Sequence, residues 1–270
     1  MGDQKAIVVG LSGCSSSGKT TLARLLRDIF PNAFILHEDD FYRPEEESVL
    51  PFKDGVRDWD CAESINIPDM EKALSHIHNE GTFPPFVDSK EDKNSVGTCP
   101  ASTAKIEAMK AQVQAWLRPG SPGHDVFSGA NAPRLCLLDG FLLYSPPRFS
   151  KVMDLIDVKL FLQVSHEKAT QRREARDGYV TLEGFWKDPP GYVDKVVWPN
   201  YVEAHRWMFV DGDVEGGKLD LQVLREEGIL AQLGKEGDAV DFDFEQTLEW
   251  AVGRVMEALE LWHGRIQRQN

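Results

Sequence analysis

The sequence predicts an α/β fold, a parallel sheet flanked by helices, and three observations predict it. Short apolar, β-branched runs alternate with segments whose apolar residues recur at helix spacing. A glycine-rich turn, Gly13 to Thr20, joins the first such run to the first such helix. Lys19, Asp39 and Asp139 fall at or just after predicted strand ends, the edge at which open parallel sheets hold their ligands.

The first strand is read over Ala6 to Leu11 and leads into Gly10 and Gly13. After Lys19, Leu22, Leu25, Leu26 and Ile29 repeat as one helix face, and Pro31-Asn32 ends the run. Ala33 to His37 reads as a second strand, followed at once by Glu38-Asp39-Asp40. A helix is predicted over Ile67 to Glu80, with Met70, Leu74 and Ile77 on one face. From about 81 to 133 the chain is rich in Pro, Gly, Ser and Thr, broken by one helical pattern through Ile106, Met109, Val113 and Leu117. That stretch reads as a surface insertion flanking a peripheral helix. Arg134 to Leu138 and Val158 to Val164 are the third and fourth strands, and a helix follows from about His166 to Arg176. Gly178 to Gly191 reads as a long loop, part of a lid spanning about 172 to 194. The last helix repeats Phe244, Leu248, Val252, Val255, Leu259 and Trp262 as one buried stripe. Residues 1 to 270 are expected to form a single domain.

Composition excludes several classes. The net charge of −14, from 44 acidic and 30 basic residues, argues against a nucleic-acid surface. Cys14, Cys61, Cys99 and Cys136 have no closely spaced pair, so neither a disulfide framework nor a zinc site is expected. His76 and His78 stand two apart and read as solvated helix residues. The sequence has no membrane-length apolar run and no secretory signal, and Ala6 spoils a myristoylation pattern. No membrane partner is expected; the expected compartment is the cytosol, or the cytosol and the nucleus together.

Gly13, Gly18, Lys19 and Thr20 complete the pattern Gly-x-x-x-x-Gly-Lys-Ser/Thr in the strand–turn–helix context the motif needs. Its glycines let backbone amides turn inward on phosphate oxygens, and the helix N-terminus adds its dipole. Lys19 is expected on the β- and γ-phosphates and Thr20 on Mg²⁺. Gly13, Cys14, Ser15, Ser16, Ser17, Gly18, Lys19, Thr20 and Thr21 are thus the expected contacts to ATP. The fold is a parallel sheet of the P-loop NTPase type.

Other residues carry two readings each. Asp139 is a second Mg²⁺ ligand or an ordinary strand-end cap. Asp39 is placed to accept the proton of an attacking hydroxyl close to the metal, or caps a turn. Glu38 and Asp40 read as turn residues, with Asp40 also within reach of a substrate. Arg172, Arg173 and Arg176 suit a transferring phosphoryl group or merely a helix C-terminus. Trp59-Asp60 offers a ring for a base and a carboxylate for ribose, or Trp59 is core. A switch GTPase is disfavoured because the Asn-Lys-x-Asp motif is missing.

Gly-Leu-Ser-Gly-Cys-Ser-Ser-Ser-Gly-Lys-Thr-Thr (10 to 21, counting the leading Gly), His-Glu-Asp-Asp-Phe-Tyr (37 to 42), Asp-Trp-Asp (58 to 60), Asp-Gly-Phe-Leu (139 to 142) and Arg-Arg-Glu-Ala-Arg (172 to 176) resemble the nicotinamide riboside kinases. These belong to the uridine kinase-like group of P-loop kinases. Residues 178 to 190 resemble the lid of the fungal members. The likeness runs over most of 5 to 216, fails across 81 to 133 and is weak after 217.

The resemblance implies transfer of a phosphoryl group from ATP to the 5′-hydroxyl of nicotinamide riboside, and of nicotinic acid riboside, in salvage of NAD. By position Asp39 resembles the family's base, and Asp60 and Arg173 its ribose ligands. Arg172 and Arg176 resemble lid residues facing ATP. Trp59 stands where Tyr is frequent, and Tyr179 is the counterpart for the opposite face of the base. Asp139 replaces the Glu of animal members. The loop at Asp211-Gly212-Asp213 is the family-position choice for the adenine pocket. A uridine–cytidine or pantothenate kinase is the nearest alternative, and a non-catalytic ATP-binding regulator the alternative of another class. A monomer is expected, with a dimer as the alternative.

Overall fold

Residues 5–44, 46, 49–53, 55–89, 97–129, 132–176, 178–181, 184–234 and 240–267 are described by the computed structural model; the side chains of 179–181, 184, 185, 266 and 267 are outside that description. Strand β1 (Ala6–Gly13) is buried along its whole length and runs into helix α1 (Lys19–Ile29) and strand β2 (Ala33–His37). A single turn over Glu38–Phe41 follows, then a small hairpin of β3 (Phe52–Lys53) and β4 (Val56–Arg57). Helices α2 (Ile67–Glu80), α3 (Thr103–Trp116) and α4 (Pro122–Phe127) precede β5 (Arg134–Asp139), α5 (Ser150–Asp154) and β6 (Val158–Leu162). After α6 (His166–Glu174), strands β7 (Tyr179–Thr181) and β8 (Gly184–Trp186) pair as an antiparallel hairpin. A π-helical segment, Val193–Val197, leads into α7 (Trp198–His205), followed by α8 (Leu221–Glu227), β9 (Ile229–Ala231) and α9 (Phe244–Gln267).

The main sheet has the order β2-β5-β1-β6-β9, and every pairing in it is parallel. Its strands are apolar on both faces because both are covered, and alternation sends each side chain to one of two cores. Ala6, Val8, Cys136, Leu138 and Phe161 join the core under α2, α5 and α7. Ile7, Val9, Leu11, Leu135, Leu137 and Leu160 join the one under α1, α3 and α9. The α9 stripe behaves as its spacing predicts, with Leu248, Val252, Val255 and Leu259 buried and Phe244 and Trp262 partly so.

The insertion is more integrated than its composition suggests. It forms two helices, and Met109, Val113, Trp116 and Val126 enter the second core. Polar contacts fasten it to α9: Trp116 Nε1 donates to Glu260 Oε1 at 2.7 Å, and the Ser102 amide to Glu245 Oε1 at 2.8 Å. The 178 to 191 stretch, read as loop, carries the β7–β8 hairpin. His78 also departs from expectation: its Nε2 lies 3.0 Å from Asp157 Oδ2, an oxygen that accepts the Val8 amide at 2.8 Å. The four cysteines are free, and among the described residues no helix is long and apolar enough to cross a membrane.

Candidate active site

The turn between β1 and α1 is shaped by its two glycines. Gly13 has φ 145°, and a Cβ there would meet the Leu162 carbonyl oxygen at 2.2 Å. Gly18, at φ 103°, is the left-handed residue from which α1 starts. Inside the turn Lys19 is buried and its Nζ donates to the Cys14 carbonyl at 2.8 Å. Burial pulls the Lys19 ammonium below its ordinary pKa, against the opposing pull of Asp139 and other acids. The buried hydroxyls of Ser12, Ser16 and Ser17 have no partner. Unsatisfied donors around a buried cation are what an anion of several oxygens requires, so the turn fits a polyphosphate.

Lys19, Thr20, Asp39 and Asp139 line one cavity of about 570 Å³, which opens at the carboxyl ends of β1, β2 and β5. Asp139 is buried with Oδ2 3.3 Å from His37 Nδ1. Burial raises its pKa, but the His37 contact, the Lys19 charge and the Thr20 hydroxyl together outweigh it and hold the carboxyl below its usual range. It is therefore an ionised carboxylate beside a hydroxyl. No group of three or more His, Cys, Asp or Glu suited to a metal occurs among the described residues. Mg²⁺ does not need one, since it takes one or two carboxylates and completes its shell with phosphate and water. Thr20, Asp39 and Asp139 fit that requirement. Asp39 is exposed and lines the cavity, within reach of a hydroxyl bound there.

Glu38 corrects its sequence reading. It is fully buried, its Oε2 accepts the Leu142 amide at 3.0 Å, and its Oε1 has no hydrogen-bond partner. Burial pushes its carboxyl up to about 8, only partly offset by backbone amides. A Cβ on Gly140 would strike Glu38 Oε2 at 2.1 Å, so a glycine after Asp139 lets the two strand ends meet.

The cavity also has an aromatic lining, built from distant segments. Tyr42, Trp59, Phe141, Trp186 and Tyr192 line it, with Tyr42 stacked on Phe141 at 6.5 Å between centroids. Asp60 is buried beside Trp59 and is gripped by Arg173, whose Nη1 and Nη2 reach its two oxygens at 3.0 and 3.5 Å. The other edge of the Arg173 fork takes Asp188, two residues past β8, at 2.6 and 3.2 Å. One buried guanidinium thus joins Asp60, α6 and the stretch after β8, with planar geometry a lysine could not supply.

Most of the expected residues meet here: Ser15, Ser16, Gly18, Lys19, Thr20, Thr21, Asp39, Asp40, Trp59, Asp60, Asp139, Arg173 and Arg176 line the one cavity. Arg172 instead lines a neighbouring groove with Ser17 and Phe244, and its Nη1 donates to the Ser16 carbonyl at 3.3 Å. Gly13 and Cys14 lie in the turn behind the lining, and burial raises the Cys14 thiol to about 12, so it stays protonated. The side chain of Tyr179 lies outside the described residues. Asp211, Gly212 and Asp213 line neither opening. Sequence reasoning assigned no role to Asp188 or Trp186, both within the stretch read as a loop. The Trp186 Nε1–H, donated to Asp188 at 2.9 Å, ties that ring to the Arg173 cluster, a link no local pattern carries.

No protein-family model matches the chain. Among curated proteins it is similar to nicotinamide riboside kinase of Schizosaccharomyces pombe, 35% identical over 257 residues, covering 95% of this chain and 99% of that one. That stretch is longer than residues 5 to 216. Nicotinamide riboside kinase of Saccharomyces cerevisiae is 33% identical over 227 residues, 80% of this chain and 84% of that one. Human nicotinamide riboside kinase 2 is 31% identical over 228 residues, 82% and 76%.

Proposed function

The chain belongs to the nicotinamide riboside kinase family, and from that premise we propose that it transfers the γ-phosphoryl group of ATP to the 5′-hydroxyl of nicotinamide riboside, and of nicotinic acid riboside, in NAD salvage. One observation carries the reading: the cavity lined by Lys19, Asp39 and Asp139 is lined also by Trp59, Asp60 and Arg173. A phosphate-binding turn alone would suit any ATP-binding protein. A carboxylate paired with arginine beside an aromatic ring suits a ribosyl acceptor.

The roles follow from position and chemistry. The backbone of residues 13 to 18 and the Lys19 ammonium cradle the phosphates, for which Lys19 exchanges the Cys14 carbonyl for phosphate oxygen. Thr20, Asp39 and Asp139 hold Mg²⁺, which when bound neutralises charge on the β- and γ-phosphates. Asp39 orients the 5′-hydroxyl and takes its proton. Arg176 and Arg172 approach from the lid side and offset charge on the transferring group. Asp60 accepts from the ribose hydroxyls while Arg173 donates to them and holds the Asp60 carboxylate in place. Trp59 stacks on the pyridine ring, and Trp186, already in the lining, supplies the second face.

The test is ADP release by the full chain with Mg-ATP and nicotinamide riboside, uridine or pantothenate under one set of conditions. The riboside is expected to give the highest kcat/KM. A clear preference for uridine or pantothenate, or ADP release that ignores all three, overturns the proposal.

A further inference from the structure

Next to the Trp59–Asp60 pair lies a buried polar cluster that the proposed chemistry does not use. Asp58 is fully buried and is absent from the cavity lining, so it cannot touch a substrate bound there. Both its oxygens accept from Asn200 Nδ2, at 2.7 and 2.9 Å, and Lys53 Nζ stands 3.5 Å from Oδ2. Lys53 also donates to Asn200 Oδ1, closing a triangle between β3, the turn before residue 60 and α7. Burial pushes the Asp58 carboxyl upward, and Asn200 and Lys53 oppose that rise. A carboxylate taken fully out of water is costly, and an amide is a weaker partner than a guanidinium would be. What the arrangement supplies is direction.

That direction is imposed on the pair that faces the cavity. Asp58 Oδ1 accepts the Asp60 amide at 3.0 Å. The Trp59 amide donates to the Tyr192 hydroxyl at 3.3 Å, and the Trp59 carbonyl accepts from Ser64 Oγ at 2.8 Å. Each of these three backbone groups is therefore fixed by a side chain. Through Asn200 the Asp58 contact reaches α7, the helix that continues the π-helical segment capped by Tyr192. Side-chain pose at a binding pair depends on such support, because a shift of about 1 Å weakens an oriented contact severely.

We infer that Asp58, Asn200 and Lys53 form a positioning bracket for the phosphorylation reaction, fixing the Trp59–Asp60 backbone in the pose that receives the riboside; the inference rests on the acceptor proposed above. Asp58 is a positioning residue and acts through Asp60. It ties acceptor affinity to the seating of α7 and leaves the phosphate end of the cavity untouched.

The experiment is steady-state kinetics on the full chain with each substrate varied in turn, and a thermal melt for every variant. Asn200→Asp faces two carboxylates and Asp58→Asn faces two amides; each is expected to raise the riboside KM about 10-fold, the size of one charge-assisted hydrogen bond. The KM for ATP and kcat stay within about 2-fold, the split that separates acceptor binding from transition-state loss. The exchange Asp58→Asn with Asn200→Asp restores an amide–carboxylate pair and returns the riboside KM to within about 3-fold of wild type, as coupled neighbours should. Lys53→Met, at a partly exposed position, keeps the Asp58–Asn200 contact and raises that KM about 2-fold, a readout that survives if a single variant at 58 or 200 fails to fold. An unchanged riboside KM in a folded variant overturns the bracket, as does an equal rise in both KM values or an exchange that restores the melt but not KM. Wild-type turnover judges the acceptor separately; if another nucleoside is the one phosphorylated, the same variants are read on it.

Discussion

The two ends of the cavity are made in opposite ways. At the phosphate end the turn is contiguous, and its internal contact from Lys19 to Cys14 spans five residues. At the acceptor end Arg173 and Asp60 are 113 residues apart, Trp59 and Tyr192 133, and Asn200 and Asp58 142. The first end offers backbone amides, a lysine and a helix dipole, groups that suit phosphate whatever it is attached to. The second offers side chains held by other side chains, so under the proposed function its specificity depends on single positions far along the chain. On the proposed assignment, a general anion site and a particular acceptor site share one cavity while depending on different parts of the chain.

Substitutions can break that division, and the largest effect is expected at the phosphate end. Lys19→Met removes the only buried ammonium in the turn among the described residues and should lower kcat by about 10³-fold or more, on the scale of losing a charge clamp on the transferring group. Riboside binding, followed by calorimetry, should be little changed; equal weakening of both ligands would merge the two ends. Asp39→Asn stands between them and should lower kcat by roughly 10²-fold or more with ATP affinity kept. Full activity in that variant removes Asp39 as the proton acceptor. Arg173→Lys keeps a positive charge but loses the fork that meets Asp60 and Asp188, so the riboside KM should rise about 10-fold while that for ATP holds. A larger change for ATP would place Arg173 on the wrong side of the division.

The smallest effect sharpens the comparison through stability. Glu38 titrates near 8 in the fold against 4.5 for the free group, so the folded chain holds a proton that the unfolded chain has lost between those values. Its contribution is full below about pH 4.5 and declines as pH rises to about 8, beyond which it changes no further. Glu38→Gln should flatten that decline and melt a few degrees higher near pH 8, most visibly in melts compared at pH 5.5 and pH 8. Parallel curves for the two proteins would show that Glu38 is ionised throughout.

What the sequence makes legible follows the same division. Residues 13 to 20, the strand ends at Asp39 and Asp139 and the α9 stripe all announce themselves because spacing along the chain is the cause of their geometry. Trp59 and Asp60 are visible as residues of suitable chemistry, but not as a pair held by Arg173 and Asp58. Glu38 reads as one more acid in a polar turn, since nothing local says that Gly140 will let it pack against a neighbouring strand end. β9 is three residues long, too short for a period to register, and takes its structure from β6. Asp188 lies in a Pro-rich stretch whose pattern marks a loop, and its ion pair with a helix 15 residues earlier is a tertiary event.

The most direct test of the central claim follows the γ-phosphate in a single turnover. Labelled ATP, Mg²⁺ and excess nicotinamide riboside are mixed with wild-type protein and with Asp39→Asn, and the labelled products are separated. Label should pass to the mononucleotide in the wild type and about 10²-fold more slowly in the variant, with riboside affinity unaltered. Label released as inorganic phosphate at a rate indifferent to riboside, or transferred equally fast by Asp39→Asn, would contradict the account.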